Sequence, residues 1–167
     1  MPKDCPVILM SPQGRRFDQK VARRFSKLPA MILVAGRYEG VDERFIENHV
    51  DEEISMGDFI LSGGEIAAMA IIDSVVRLLP GALGDDASSV DESFENNLLE
   101  YPHYTRPEEV EGHSVPEVLL SGNHEAIKLW RSEQSLIRTY KKRPDLLDEL
   151  TEQQEIILNK YKQLIKD

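Results

Sequence analysis

The sequence predicts an α/β fold, a mainly parallel sheet followed by a small all-α C-terminal domain. Three observations predict it. Short apolar runs alternate with helical patterns through roughly the first eighty residues, as strand–helix–strand units do. Each of those runs leads into a glycine-bearing loop. Beyond Phe94 the pattern turns to helix.

Val7–Met10 is the first strand, and Ser11-Pro12-Gln13-Gly14 is the loop after it. Asp18–Lys27 reads as a short helix, with Val21 and Phe25 one turn apart as its buried stripe. Met31–Ala35 is the second strand and opens into Gly36-Arg37-Tyr38-Glu39-Gly40. Val41–His49 is a helix with Phe45 buried and its acids outward. The third strand lies around Ile54–Met56, before Gly57-Asp58-Phe59-Ile60-Leu61-Ser62-Gly63-Gly64. Glu65–Leu79 is apolar nearly all round, which predicts burial on most faces, within one subunit or across a dimer interface. Pro80-Gly81 stops it.

Residues 82–93 are small, polar and acidic, the composition of a linker. His124–Tyr140 carries Ile127, Leu129, Trp130, Leu136 and Ile137 in an amphipathic pattern. Pro144 breaks it, Asp145–Leu150 makes a turn of helix, and Glu152–Ile165 closes the chain. The expected organisation is an α/β domain over 1–84, an acidic linker over 85–97 and a helical domain over 98–167. Three strands are few for a doubly wound sheet.

Composition narrows the function classes. No run of eighteen apolar residues exists, so no membrane span is expected. The opening Met-Pro-Lys-Asp-Cys-Pro lacks the apolar stretch of a signal peptide. Cys5 is the lone cysteine, which fits a reducing cytoplasm and reads as a passive thiol. Four scattered histidines show no metal-ligand spacing, so no metal site is expected. The net charge of −10 is unevenly spread: residues 1–40 carry +5, residues 41–100 carry −13 and residues 101–167 carry −2. Only the first segment (Arg15, Arg16, Lys20, Arg23, Arg24, Lys27) and Lys141-Lys142-Arg143 offer basic clusters to a nucleic acid. A solvated helix face is the plain reading of both.

In an open α/β sheet, loops at the carboxyl ends of neighbouring strands converge on one crevice, the usual seat of a ligand. None of the three loops is a GxGxxG or a GxxxxGK[ST]. The expected ligand is therefore neither a dinucleotide nor ATP.

These loops, with Asp73–Arg77, Tyr101–Pro107 and Val118–Asn123, make six blocks whose order resembles the bacterial tRNA (guanine-N1)-methyltransferase family, TrmD, of the SPOUT superfamily. The resemblance covers essentially the whole chain, while the family's leading segment of several dozen residues has no counterpart. It implies a trefoil-knotted α/β domain, a homodimer with the active site at its interface, and a bent S-adenosylmethionine held by the three loops. The positions matching the cofactor pattern are Gly36 and Met56, Gly57, Asp58, Phe59, Ile60 and Leu61. Ser11, Pro12, Tyr38, Glu39, Gly40, Ser62, Gly63 and Gly64 complete the walls. A sulfonium cofactor has no phosphate; it needs backbone groups for an adenine edge, an apolar wall such as Met56, Ile60 and Leu61, and a carboxylate near the positive sulfur.

The family methylates N1 of guanosine 37 in tRNA, just 3′ of the anticodon. That chemistry needs a base for the N1 proton and a cation or donor at O6. The motif places the family's catalytic aspartate at Glu92, with Asp91 as the alternative base, and Arg77 at the O6 or phosphate position. His103, Tyr104 and Arg106 offer planes for stacking bases, and Lys128, Arg131, Lys141, Lys142 and Arg143 offer phosphate contacts. Two other readings compete: a SPOUT methyltransferase acting on another RNA, and a non-catalytic fragment that keeps only the cofactor-site core.

Overall fold

The computed structural model describes residues 5–82, 93–94, 97–148 and 150–164. The chain divides into two compact units, Met1–Ser89 and Val90–Asp167. No helix among the described residues is long and apolar enough to cross a membrane.

The first unit is built on three parallel strands, β1 (Val7–Arg16), β2 (Ile32–Ala35) and β3 (Glu52–Ser55), in the order β2-β1-β3. β1 takes the centre because Val-Ile-Leu-Met has no polar face to turn to water. Ile8, Leu9 and Met10 are all buried. Val7–Met10 pair in register with Ile32–Ala35 on one side, and Ile8, Leu9 and Met10 face Glu52, Glu53 and Ile54 on the other. The β1–β3 register then shifts, because Ile54 stands opposite both Met10 and Arg15. Residues 11–14 therefore bulge out of the pairing rather than ending the strand. This corrects the expectation of a separate loop there. Pairing resumes at Arg15, and the Phe17 N–H donates to the Ser55 carbonyl at 2.8 Å.

Helix α1 (Gln19–Phe25) starts at Asp18, whose carboxylate accepts from the Val21 N–H at 2.8 Å. Its Val21, Ala22 and Phe25 are buried. Helix α3 (Glu65–Val76) buries Ala67, Ile71 and Val75, at i, i+4 and i+8, and packs on α1, β2 and β1. The entry to α3 is tight: a Cβ on Gly64 would lie 2.9 Å from both Ala35 Cα and Met10 Cβ. Only a glycine lets the helix start this close to the sheet.

Within the single chain α3 hides one stripe only, leaving Ile66, Met69, Ile72 and Val76 exposed, so burial on most faces inside one subunit is not what is seen. One burial expectation is corrected. Helix α2 (Glu43–His49) buries nothing, and Phe45 is 37% exposed with its ring 5.3 Å from that of His49. α3 also ends at Val76, three residues early. The Leu78 and Leu79 N–H groups bond to the carbonyls three residues back, tightening the last turn.

The second unit centres on α5 (His124–Lys142), capped by Asn123, which accepts from the Ala126 N–H at 3.1 Å. A four-residue helix α4 (Glu117–Leu120) precedes it, and α6 (Glu152–Leu164) packs on it through Leu158. Leu136 and Thr139 of α5 are buried. The Thr139 hydroxyl accepts from the Leu99 N–H at 2.8 Å and donates to the Ser135 carbonyl at 2.7 Å. The expected turn of helix over 145–150 is a 3-10 turn over Pro144–Leu146.

This unit is not all helix. Two short strands, β4 (Glu109–Val110) and β5 (His113–Ser114), form an antiparallel hairpin. Its turn residues Glu111 and Gly112 have φ of 54° and 78°, the left-handed pair that a two-residue hairpin loop requires.

Leu136 and Leu129 share α5 but differ in burial, at 1% and 52% exposed. Leu136→Ala is expected to cost about 2–5 kcal/mol and Leu129→Ala less than about 0.5. Urea denaturation followed by the single tryptophan, Trp130 on the same helix, measures both. In the first unit, Gly64→Ala is expected to cost about 1–3 kcal/mol by forcing α3 away from β1 and β2, read as a lowered melting temperature.

Candidate active site

Parallel strands end on the same edge of a sheet. Here the chain leaves the central β1 for one side and later crosses to the other, so the carboxyl ends flank a topological switch point. A cavity of about 450 Å³ opens at that place. It lies within the range of about 300–1,000 Å³ usual for small-molecule sites. Three segments wall it: Ser11, Pro12 and Gln13 of the β1 bulge, Gly36–Val41 after β2, and Ser55–Gly64 after β3 without Asp58.

Every residue assigned to the cofactor from sequence lines this cavity except Asp58. Its carboxylate instead pairs with Arg16 at 3.0 Å, largely in solvent. The bulge is what brings Ser11 and Pro12 in, since a regular strand would keep them in the β3 pairing.

Hydrogen bonds tie the walls together. The Gly64 N–H donates to the Gly36 carbonyl at 3.0 Å, and Arg37 and Gly63 form an antiparallel bridge. The Arg37 Nε–H donates to Glu65 Oε1 at 2.5 Å, and this guanidinium contact holds the Glu65 carboxyl below the usual carboxylate range. At the end of β3 the buried Ser55 hydroxyl accepts from the Gly57 N–H and donates to the Gly57 carbonyl, each at 3.1 Å, closing a tight turn. Tyr38 is 97% exposed at the mouth, with φ of 60°. A left-handed tyrosine of this kind carries backbone strain of about 1–3 kcal/mol.

The lining has a definite chemistry. Met10, Ile54, Met56, Ile60 and Leu61 make an apolar wall. Among the described residues, the charged lining side chains are Arg37 and three acids, Glu39, Glu43 and Glu53. Arg37 already answers Glu65, so the acids dominate. The cavity suits a cationic ligand with an apolar body and no phosphate.

Several lining residues escaped the sequence reading. Gln13 and Arg37 sit inside the loops quoted there. Glu53 was findable by strand alternation: its neighbour Glu52 accepts from Arg24 at 2.7 Å, which leaves Glu53 to the other face. Val41, Glu43 and Ile46 come from α2 and the turn before it, and carry no comparable signal.

Of the three catalytic assignments, Arg77 alone falls among the described residues. Glu92 and Asp91 lie outside the described residues. Arg77 caps the far end of α3, and at 1.5 Å per residue the helix carries it roughly 20 Å from Gly64. In the second unit, Tyr104 lies 6.3 Å from the Trp130 ring, and the Arg131 guanidinium sits 4.7 Å above Tyr101. His103 Nε2 is 2.6 Å from Glu100 Oε1, and Arg106 is exposed. Lys141 lies 5.0 Å above Tyr161, while Arg143 pairs with Asp145 at 2.6 Å and holds that carboxyl below its usual range.

The model of the family described as tRNA (Guanine-1)-methyltransferase TrmD matches residues 2–149. Three curated relatives carry the name tRNA (guanine-N(1)-)-methyltransferase. That of Hahella chejuensis is 59% identical, over 99% of this chain and 66% of its own length. That of Stutzerimonas stutzeri is 62% identical, over 85% of this chain and 57% of its own length. That of Staphylococcus epidermidis is 55% identical, over 96% of this chain and 66% of its own. The chain thus spans somewhat under two thirds of the curated relatives it matches. With most of its residues inside the family match, this chain belongs to the tRNA (Guanine-1)-methyltransferase TrmD family.

Proposed function

We propose that this chain carries the cofactor site and the tRNA-binding domain of an S-adenosylmethionine-dependent methyltransferase acting on N1 of guanosine 37 in tRNA. The observation that carries the proposal is the convergence of three loops, far apart in sequence, on one acid-rich cavity without a phosphate cradle. Gly36, Gly57, Gly63 and Gly64 bring backbone to the wall, where it can read an adenine edge. Met56, Ile60 and Leu61 would take the apolar body, and a carboxylate among Glu39, Glu43 and Glu53 would answer the positive charge.

The cofactor, when bound, supplies an electrophilic methyl group. The protein's work is then positioning and proton removal. Glu92, or Asp91, would take the N1 proton as the nitrogen–carbon bond forms and the methyl carbon–sulfur bond breaks. Arg77 meets the charge that builds on O6, its planar fork suiting an oxygen acceptor. Because Arg77 stands roughly a helix length from the cavity of its own chain, a second copy completes the site in this reading. The exposed Ile66, Met69, Ile72 and Val76 on α3 offer the apolar face for that homodimer.

Residues 1–84 are the cofactor domain, of the SPOUT trefoil-knotted type, in this proposal. Residues 98–167 hold the anticodon arm through Lys128, Arg131, Lys141, Lys142 and Arg143, joined by the linker over 85–97. Tyr104 and Arg106 offer planes to bases that leave the stack. The lone half-buried Cys5 and the tRNA substrate fit work in the cytoplasm.

Isothermal titration of S-adenosylhomocysteine into the chain is expected to show saturable binding, and absence of heat would leave the inert-fragment reading. Methyl transfer is expected to tRNA transcripts bearing guanosine 37 and not to those lacking it; equal transfer to both would favour a different RNA substrate. Glu92→Gln is expected to lower kcat by about 10²-fold or more. If Glu92→Gln is fully active and Asp91→Asn is not, the base is Asp91.

A further inference from the structure

Arg37 is the only cationic side chain on the cavity wall among the described residues, an odd choice for a seat that favours cations. Its guanidinium is directed to Glu65, the first residue of α3, and its backbone is bridged to Gly63. Two loops that leave different strands are therefore joined at one residue, side chain and main chain together. The fit is close: a Cβ on Gly63 would overlap the Glu65 carboxylate and lie 3.1 Å from Arg37 Cγ. Gly64, next in line, adds the 3.0 Å bond back to Gly36.

We infer that Arg37 and Glu65 form a brace that positions the loops after β2 and β3 for the ligand, so that both are positioning residues for the cavity. The inference rests on the reading of that cavity as the cofactor seat. Their side chains are 62% and 46% exposed, so the pair adds little to global stability. What it sets is the distance between two walls that share no helix or strand of their own. A brace also cancels the arginine's charge where a sulfonium would sit. Without Glu65, an unanswered guanidinium would face the ligand; without Arg37, Glu65 would lose its hold on the first wall.

A double-substitution cycle distinguishes a brace from two independent contacts. S-adenosylhomocysteine binding is measured by calorimetry for the unsubstituted chain, Arg37→Ala, Glu65→Ala and the pair, with melting temperatures alongside. Each single substitution is expected to weaken binding about tenfold. The pair should weaken it by no more than either alone, with melting temperatures little changed. Additive losses would overturn the brace, as would a loss in Arg37→Ala with none in Glu65→Ala, which would make the arginine a direct contact. If the unsubstituted chain binds and both singles match it, the brace falls while the cofactor reading stands. If the unsubstituted chain does not bind, the cofactor reading falls and takes the brace with it.

Discussion

Parallel pairing on both flanks of β1 is the constraint from which the rest of the first unit follows. A strand of Val-Ile-Leu-Met has no polar face, so it is driven to the middle of the sheet, and its neighbours must run beside it. Parallel neighbours end on one edge, and so their exits meet. β3 tolerates two glutamates because each finds its own outlet: Glu52 reaches Arg24, and Glu53 faces the cavity. The sheet thus creates the opening, and the bulge at residues 11–14 supplies its third wall.

Much of this was legible in the residues, for physical reasons that differ by element. The start of β1 and all of β2 follow from short apolar runs before glycine, whereas β3 lies at Glu52–Ser55, two residues ahead of the expected Ile54–Met56, because its glutamates hide the pattern. The α1 start follows from Asp18, whose side chain caps the helix as its type leads one to expect. The cavity walls follow from glycines placed after strands, and only Asp58 among them turns elsewhere, toward Arg16. The misses are equally specific. Pro12 and Gly14 look like a turn, yet bonding beyond them resumes the same strand, and no local pattern announces a register shift. Phe45 looks buried because helices have an inner face, but α2 has little above it to receive the ring. The β4–β5 hairpin has two residues on each side, too few for an alternation to show.

Charge and glycine work together in the cavity. Phosphate sites gather lysine, arginine or a helix N-terminus around a bound anion. Here, among the described residues, the single lining arginine is neutralised from outside, by Glu65, and the remaining charged lining groups are acids. The glycines let main chain stand at the wall, where side chains of any size would fill the space. The second unit is different in kind: α5 and α6 meet at the Tyr140 and Tyr161 rings, 6.4 Å apart, with Lys141 and Lys162 each lying over the ring of the other helix.

The central claim is that segments 11–13, 36–40 and 56–64 act as one seat. Amide hydrogen exchange with and without S-adenosylhomocysteine tests it most directly. Slowed exchange in all three segments together, with α5 and α6 unchanged, is the predicted result. Slowing in one segment alone, or only in the second unit, would contradict it.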